Sequence, residues 1–175
     1  MVGNPADPIL ARWLRPGVAL PELTATSSEG VLEELAAGVA KTLPGVSDFA
    51  VLSGFLEREA LGTTAIGEGF AIPHCRLPGA REIHLRVAMH LPGVDFGALD
   101  GKPVRVFFAL VAPQSGATAH LEALGAVARL LRDPARRARL LAARGPDELL
   151  ARLMETSVPI DPLAPIAPSE VTADA

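Results

Sequence analysis

Apolar positions change period several times along this chain, and each change predicts an element. Val18-Ala19-Leu20 is a brief strand closed by Pro21. Val31, Leu32, Leu35, Ala36, Val39 and Leu43 then recur at helical spacing, Thr26 with Glu29 has capping-box spacing ahead of them, and Pro44-Gly45 ends the helix. A second helix is predicted from about Asp48 to Leu61, with Phe49, Leu52, Phe55 and Leu56 on one side and Gly62 as its C-terminal cap. From Ile83 the period shortens to two. Ile83, Leu85, Val87, Met89 and Leu91 share one strand face and His84, Arg86 and His90 the other, until Pro92-Gly93 breaks the run. Val104 to Val111 is nearly continuous and apolar, as a central strand buried on both faces should be.

A helix beginning near Thr118 buries Leu121, Leu124, Val127, Ala128 and Leu131. Asp133-Pro134 opens the next, through about Ala143, and Gly145-Pro146-Asp147 opens the last, with Leu149, Leu150 and Leu153 inward. Helices and strands interleave around one sheet, so the expected class is α/β. At the ends the pattern fades. Residues 1–17 form an N-terminal extension in which Ile9, Leu10, Trp13 and Leu14 predict a turn or short helix lying on the core. Residues 157–175 hold four prolines without periodicity and are expected to be a disordered tail.

Composition narrows the class. At 175 residues the chain suits one domain with a substantial core; 49% of it is apolar but only 4% aromatic, so that core is aliphatic. A net charge of −4 argues against nucleic-acid binding. One cysteine excludes an internal disulfide and fits a reducing compartment. The first residues lack a basic and apolar leader, and the longest apolar run, Val106 to Ala112, falls far short of the roughly 20 residues of a membrane span. A soluble, cytoplasmic protein without direct membrane insertion is expected.

The chemistry concentrates in residues 58–79, where Gly62, Gly67, Gly69, Pro73 and Gly79 punctuate strand-like material. Phe70-Ala71-Ile72 must end at Pro73, so His74 emerges just past a strand end among small or rigid neighbours. Imidazole, with a reference pKa of about 6.5, offers a neutral nucleophilic nitrogen at cell pH. Thr63 and Thr64 either donate hydroxyls to a group bound beside His74 or cap and pack the loop. Zinc at His74, Cys75, His84 and His90 fails, because adjacent ligands cannot both reach one metal comfortably and no second cysteine exists. No metal or cofactor is expected. The five arginines from Arg132 to Arg144 alternate with Ala and Leu, as a solvated helix face does.

The segment Gly67-Glu68-Gly69-Phe70-Ala71-Ile72-Pro73-His74 resembles the active-site signature of enzyme IIA domains of the bacterial phosphotransferase system, of the fructose/mannitol type and its nitrogen-regulatory branch. The similarity covers about residues 18 to 155. It departs at Cys75, where the family usually has glycine. The resemblance implies a single domain over 18–156, a mixed β-sheet flanked by helices on both faces. It makes His74 the phosphorylated residue, His120 the family's second histidine and Arg58 the arginine beside the first. For His120 the alternative is a helix-surface histidine bonded to water; for Arg58, a residue that only complements a helix dipole.

The implied partner upstream is an HPr-like histidine phosphocarrier. Downstream it is either a regulatory target protein or a IIB domain, whose cysteine would take the phosphoryl group towards fructose or mannitol uptake. A solitary domain favours the regulatory, nitrogen-related reading. A non-transferring interaction module is the remaining alternative.

Overall fold

The computed structural model describes residues 9–155; the expected tail over 157–175 and the first eight positions lie outside the described residues. In chain order come a 3-10 turn Leu10–Arg12, α1 Ser28–Ala40, α2 Asp48–Ala60, β1 Ala65–Gly67, β2 Phe70–Ala71, β3 His74–Leu77, β4 His84–Val94, β5 Val104–Pro113, α3 Ala117–Leu130, α4 Pro134–Leu141 and α5 Pro146–Met154.

The apolar strand β5 is the axis of the sheet. On one side it pairs in parallel with β2 and then with β3, which follow one another along the same edge; on the other it pairs antiparallel with β4. β1 turns back antiparallel on β2, so the sheet is mixed. Alternate side chains of β5 feed two cores. Val106, Phe108, Leu110 and Ala112 meet Val127 and Leu130 of α3, Leu140 of α4 and Leu149 and Leu153 of α5. Phe107, Ala109 and Val111 meet Leu32, Leu35 and Val39 of α1 and Val51 and Phe55 of α2. One α/β domain with helices on both faces results.

Several predicted details change. The cap of α1 is Ser27, one residue after the predicted Thr26, and its hydroxyl accepts from the Gly30 N–H at 3.1 Å. Val18-Ala19-Leu20 forms only a parallel bridge, Ala19 to Val87, at the outer edge of β4. That strand does not stop at Pro92-Gly93: its register against β5 shifts after Met89 and pairing resumes at Val94, as a bulge permits. His90 is not on a polar face. It is 4% exposed beneath the Ala25 carbonyl, because α1 and α2 cover that side of the sheet too. Phe49, Leu121 and Ala128 turn outward; Ala123 and Ala126 take the inward places on α3. Leu10 and Leu14 are buried against the first core.

Candidate functional site

Three elements converge on His74. Pro73 breaks the strand between β2 and β3, and the Pro73 carbonyl accepts from the Leu110 N–H at 2.9 Å, which holds His74 in line beside β5. The last turn of α2 brings Arg58. The first turn of α3 brings His120. Together with Leu61, Arg76 and Gln114 they line a cleft of about 380 Å³.

Hydrogen bonding settles which nitrogen of His74 is free. Nδ1 lies 2.7 Å from the Ile72 carbonyl oxygen, which can only accept, so the ring hydrogen is on Nδ1. Nε2 then carries a lone pair, and it accepts from Arg58 Nε–H at 3.0 Å. The same guanidinium donates through NH1 to the Gly62 carbonyl, where Gly62 turns the chain at positive φ. Burial lowers the His74 pKa; the Ile72 carbonyl opposes this and the Arg58 charge adds to it. The neutral ring is thereby the resting form. A neutral, oriented nitrogen beside a guanidinium fork suits attack on an electrophile that carries negatively charged oxygens.

His120 stands edge-on to His74, with ring centroids 5.3 Å apart. Its pKa falls to about 4, through burial first and then the neighbouring His74, Arg76 and Arg58. Its Nε2 is shielded from solvent and has no partner. The N-cap of α3 is Gly116, which supplies no side-chain cap, so the first-turn N–H groups just before His120 have no side-chain acceptor. An anion held near that turn would be favoured by the helix start.

Thr63 and Thr64 do not line this cleft. Thr63 donates to the Phe96 carbonyl and accepts from the Ala65 N–H. Thr64 donates through its hydroxyl and its N–H to the Glu59 carboxylate, at 2.6 and 2.9 Å. Glu59 was not singled out from sequence, yet it ties the loop to α2 one residue from Arg58. Arg76 was missed as well, although strand alternation puts it on the face of His74. Asp100 is a third omission: its carboxylate accepts from the Glu68 N–H at 2.7 Å and so fixes the Gly67-Glu68-Gly69 turn, where all three residues have positive φ. Cys75 points the opposite way, into α2, and burial raises its thiol pKa to about 12. Among the described residues no group of three His, Cys, Asp or Glu side chains is placed to hold a metal ion.

A family model described as phosphoenolpyruvate-dependent sugar phosphotransferase system, EIIA 2, matches residues 14–156. The chain belongs to this family. Within it, the EIIA chain described here is 43% identical over 129 residues to a nitrogen regulatory protein of Bradyrhizobium diazoefficiens, covering 74% of this chain and 84% of that one. It is 34% identical over 109 residues to a fructose-specific EIIA component of Haloferax volcanii, covering 61% and 71%. Among solved structures, the nitrogen regulatory protein IIA-Ntr of Neisseria meningitidis superposes with a TM-score of 0.71 at 28% identity, over 78% of this chain and 93% of that one. The mannitol IIA of Escherichia coli shares the fold, with a TM-score of 0.66 at 21% identity over 79% and 97%. A mannitol IIA of Escherichia coli solved in complex with phosphorylated enzyme IIB has the same fold, with a TM-score of 0.64 at 21% identity over 79% of this chain and 95% of that one. No helix among the described residues is long and apolar enough to cross a membrane.

Proposed function

We propose that this EIIA chain is a phosphocarrier of the nitrogen-regulatory kind. It accepts a phosphoryl group on His74 Nε2 from a histidine-phosphorylated HPr-like carrier, and its phosphorylation state governs binding to a regulatory protein. The observation that carries this reading is the His74 ring held by Ile72 at one nitrogen and by Arg58 at the other. The similarity to proteins named as nitrogen regulatory, in Bradyrhizobium diazoefficiens and at 40% identity in Pseudomonas aeruginosa, supports the regulatory branch.

In the transfer step the Nε2 lone pair forms a bond to phosphorus while the nitrogen–phosphorus bond of the donor breaks, and the donor imidazole keeps that electron pair. The proton on His74 Nδ1 stays, and its bond to the Ile72 carbonyl stabilises the positive charge that the ring acquires. Arg58 moves its donors from Nε2 to the phosphoryl oxygens. His120 donates from Nε2, which has no other partner. The rest is alignment and neutralisation of phosphoryl charge.

Leu61, which lines the cleft, and Leu121, which follows His120 in the chain, are 85% and 70% exposed and offer apolar surface to a docking protein. A phosphoryl group brings up to about two negative charges to that surface, so the unmodified form should bind its regulatory target more tightly. The test is incubation with the phosphorylated carrier. Wild-type protein should take one acid-labile phosphate and His74→Ala none, with an unchanged circular-dichroism spectrum. Full labelling of the variant would refute the assignment, and rapid onward transfer to a IIB cysteine would turn the reading towards sugar uptake.

A further inference from the structure

A second cleft, of about 530 Å³, opens on the far side of β4 from β5, between the 3-10 turn and the first residues of that strand. His84 and His74 pair with neighbouring residues of β5 from opposite sides, so this cleft lies at the same end of the sheet as His74, roughly 10 Å across it. None of its lining residues lines the phosphorylation cleft.

Its chemistry is cationic. Arg12, Arg15 and Arg86 line it, against one carboxylate, Glu82, which stands 4.0 Å from His84 Nε2. None of these three guanidiniums forms an ion pair with a carboxylate among the described residues, whereas Lys102, Arg139 and Arg152 each have one. Arg86 is the telling member. Its NH1 donates to the Leu85 carbonyl at 3.0 Å, but its Nε is shut off from solvent without an acceptor. A half-buried guanidinium with an unused donor is costly unless an anion completes it. Arg12 and Arg15 are exposed on the opposite lip, with Trp13 half-buried between them.

We infer that this cleft binds a small phosphorylated molecule carrying two or more negative charges. Three guanidinium forks around one space match the dense oxygen array of linked phosphates better than a single carboxylate does. The volume is that of an ordinary metabolite site. Trp13 offers a flat apolar surface for the remainder of such a molecule.

Trp13 is also the only tryptophan in the chain, so its fluorescence reports on this cleft. Full-length protein is titrated with pyrophosphate, ADP and citrate at low ionic strength, by fluorescence and by calorimetry. Saturable one-to-one binding of pyrophosphate or ADP is expected, at least tenfold tighter than citrate. The Arg12→Ala/Arg15→Ala double variant, altered only at exposed side chains, should lose at least tenfold in affinity. Arg86→Met should lose as much. His74→Ala should bind like wild type, which separates this site from the proposed phosphorylation. Silence towards both phosphate probes at millimolar concentration, undiminished binding by the double variant, equal affinity for citrate, or loss of binding in His74→Ala would each overturn the inference.

Discussion

At the scale of the residue, the decisive unit is the pair Arg58 and His74. One guanidinium lowers the charge tolerance of the ring, orients its lone pair and, on the proposed function, would meet the phosphoryl oxygens. These roles separate on substitution. Arg58→Met removes a nearby positive charge, so the His74 pKa should rise towards its free value; an NMR titration of the His74 ring protons measures it. The same variant should slow phosphoryl transfer by an amount approaching 3 kcal/mol, the order seen for loss of one preorganised donor. Arg58→Lys should restore most of the pKa and little of the rate, because an ammonium lacks the planar fork. An unchanged rate in both variants would reduce Arg58 to a helix-end residue. His74 was legible because Pro73 and the glycines frame it, and Arg58 because of the family resemblance. Glu59 and Asp100 were not, since each acts on a backbone N–H that no local pattern reveals.

At the scale of the element, α2 and β3 fit through a small residue. A Cβ on Gly54 would come within 2.8 Å of Cys75 Sγ and 2.9 Å of its Cβ. Cys75 is thus accommodated by a glycine opposite. Gly54→Ala should cost about 1–3 kcal/mol by overpacking, in spite of the better helix propensity of alanine. In a Cys75→Gly background the same change should cost much less, and a denaturant-unfolding double-mutant cycle reads the difference. Additive effects would mean that the two residues do not press on each other. Element existence was largely readable from period, since β5 and all five helices lie where the apolar spacing puts them. Local errors have tertiary causes. A proline-glycine pair looks like a strand end, but β5 is long enough for pairing to resume beyond the bulge. Leu121 fits a helical stripe, but Ala123 and Ala126 take the buried face of α3 and leave that leucine turned out to solvent.

At the scale of the molecule, partly buried imidazoles make the fold sensitive to acid. His120 titrates at about 4 in the fold against 6.5 when free, and His74 and His84 shift in the same direction. Between those values the unfolded chain binds more protons, so this stabilisation is complete above pH 6.5 and is lost as pH falls through about 4. His120 is half-exposed, and after allowance for solvent its share is about 1 kcal/mol, or about 3 °C in melting temperature. The drop in melting temperature from pH 7 to pH 4 should therefore be smaller by that amount in His120→Gln. Equal drops would show that the imidazole is as well hydrated folded as free. The order of the strands was the part least open to reading from residues alone. Parallel pairing of β2 and β3 with β5 joins segments separated by all of β4, and only the family resemblance anticipated a mixed sheet.

That same pairing has a consequence for the newly made chain. His74 gains its fixed setting only when Leu110 is beside it, and its neighbour His120 lies later still. Contacts this far apart in sequence form after long loops have closed, so they come late in folding. A nascent chain that has displayed the histidine but not yet laid down β5 and α3 offers an unoriented imidazole in a floppy loop. If the proposed function holds, competence to accept phosphate would certify completed synthesis and folding, and a carrier would spend no phosphoryl group on unfinished copies.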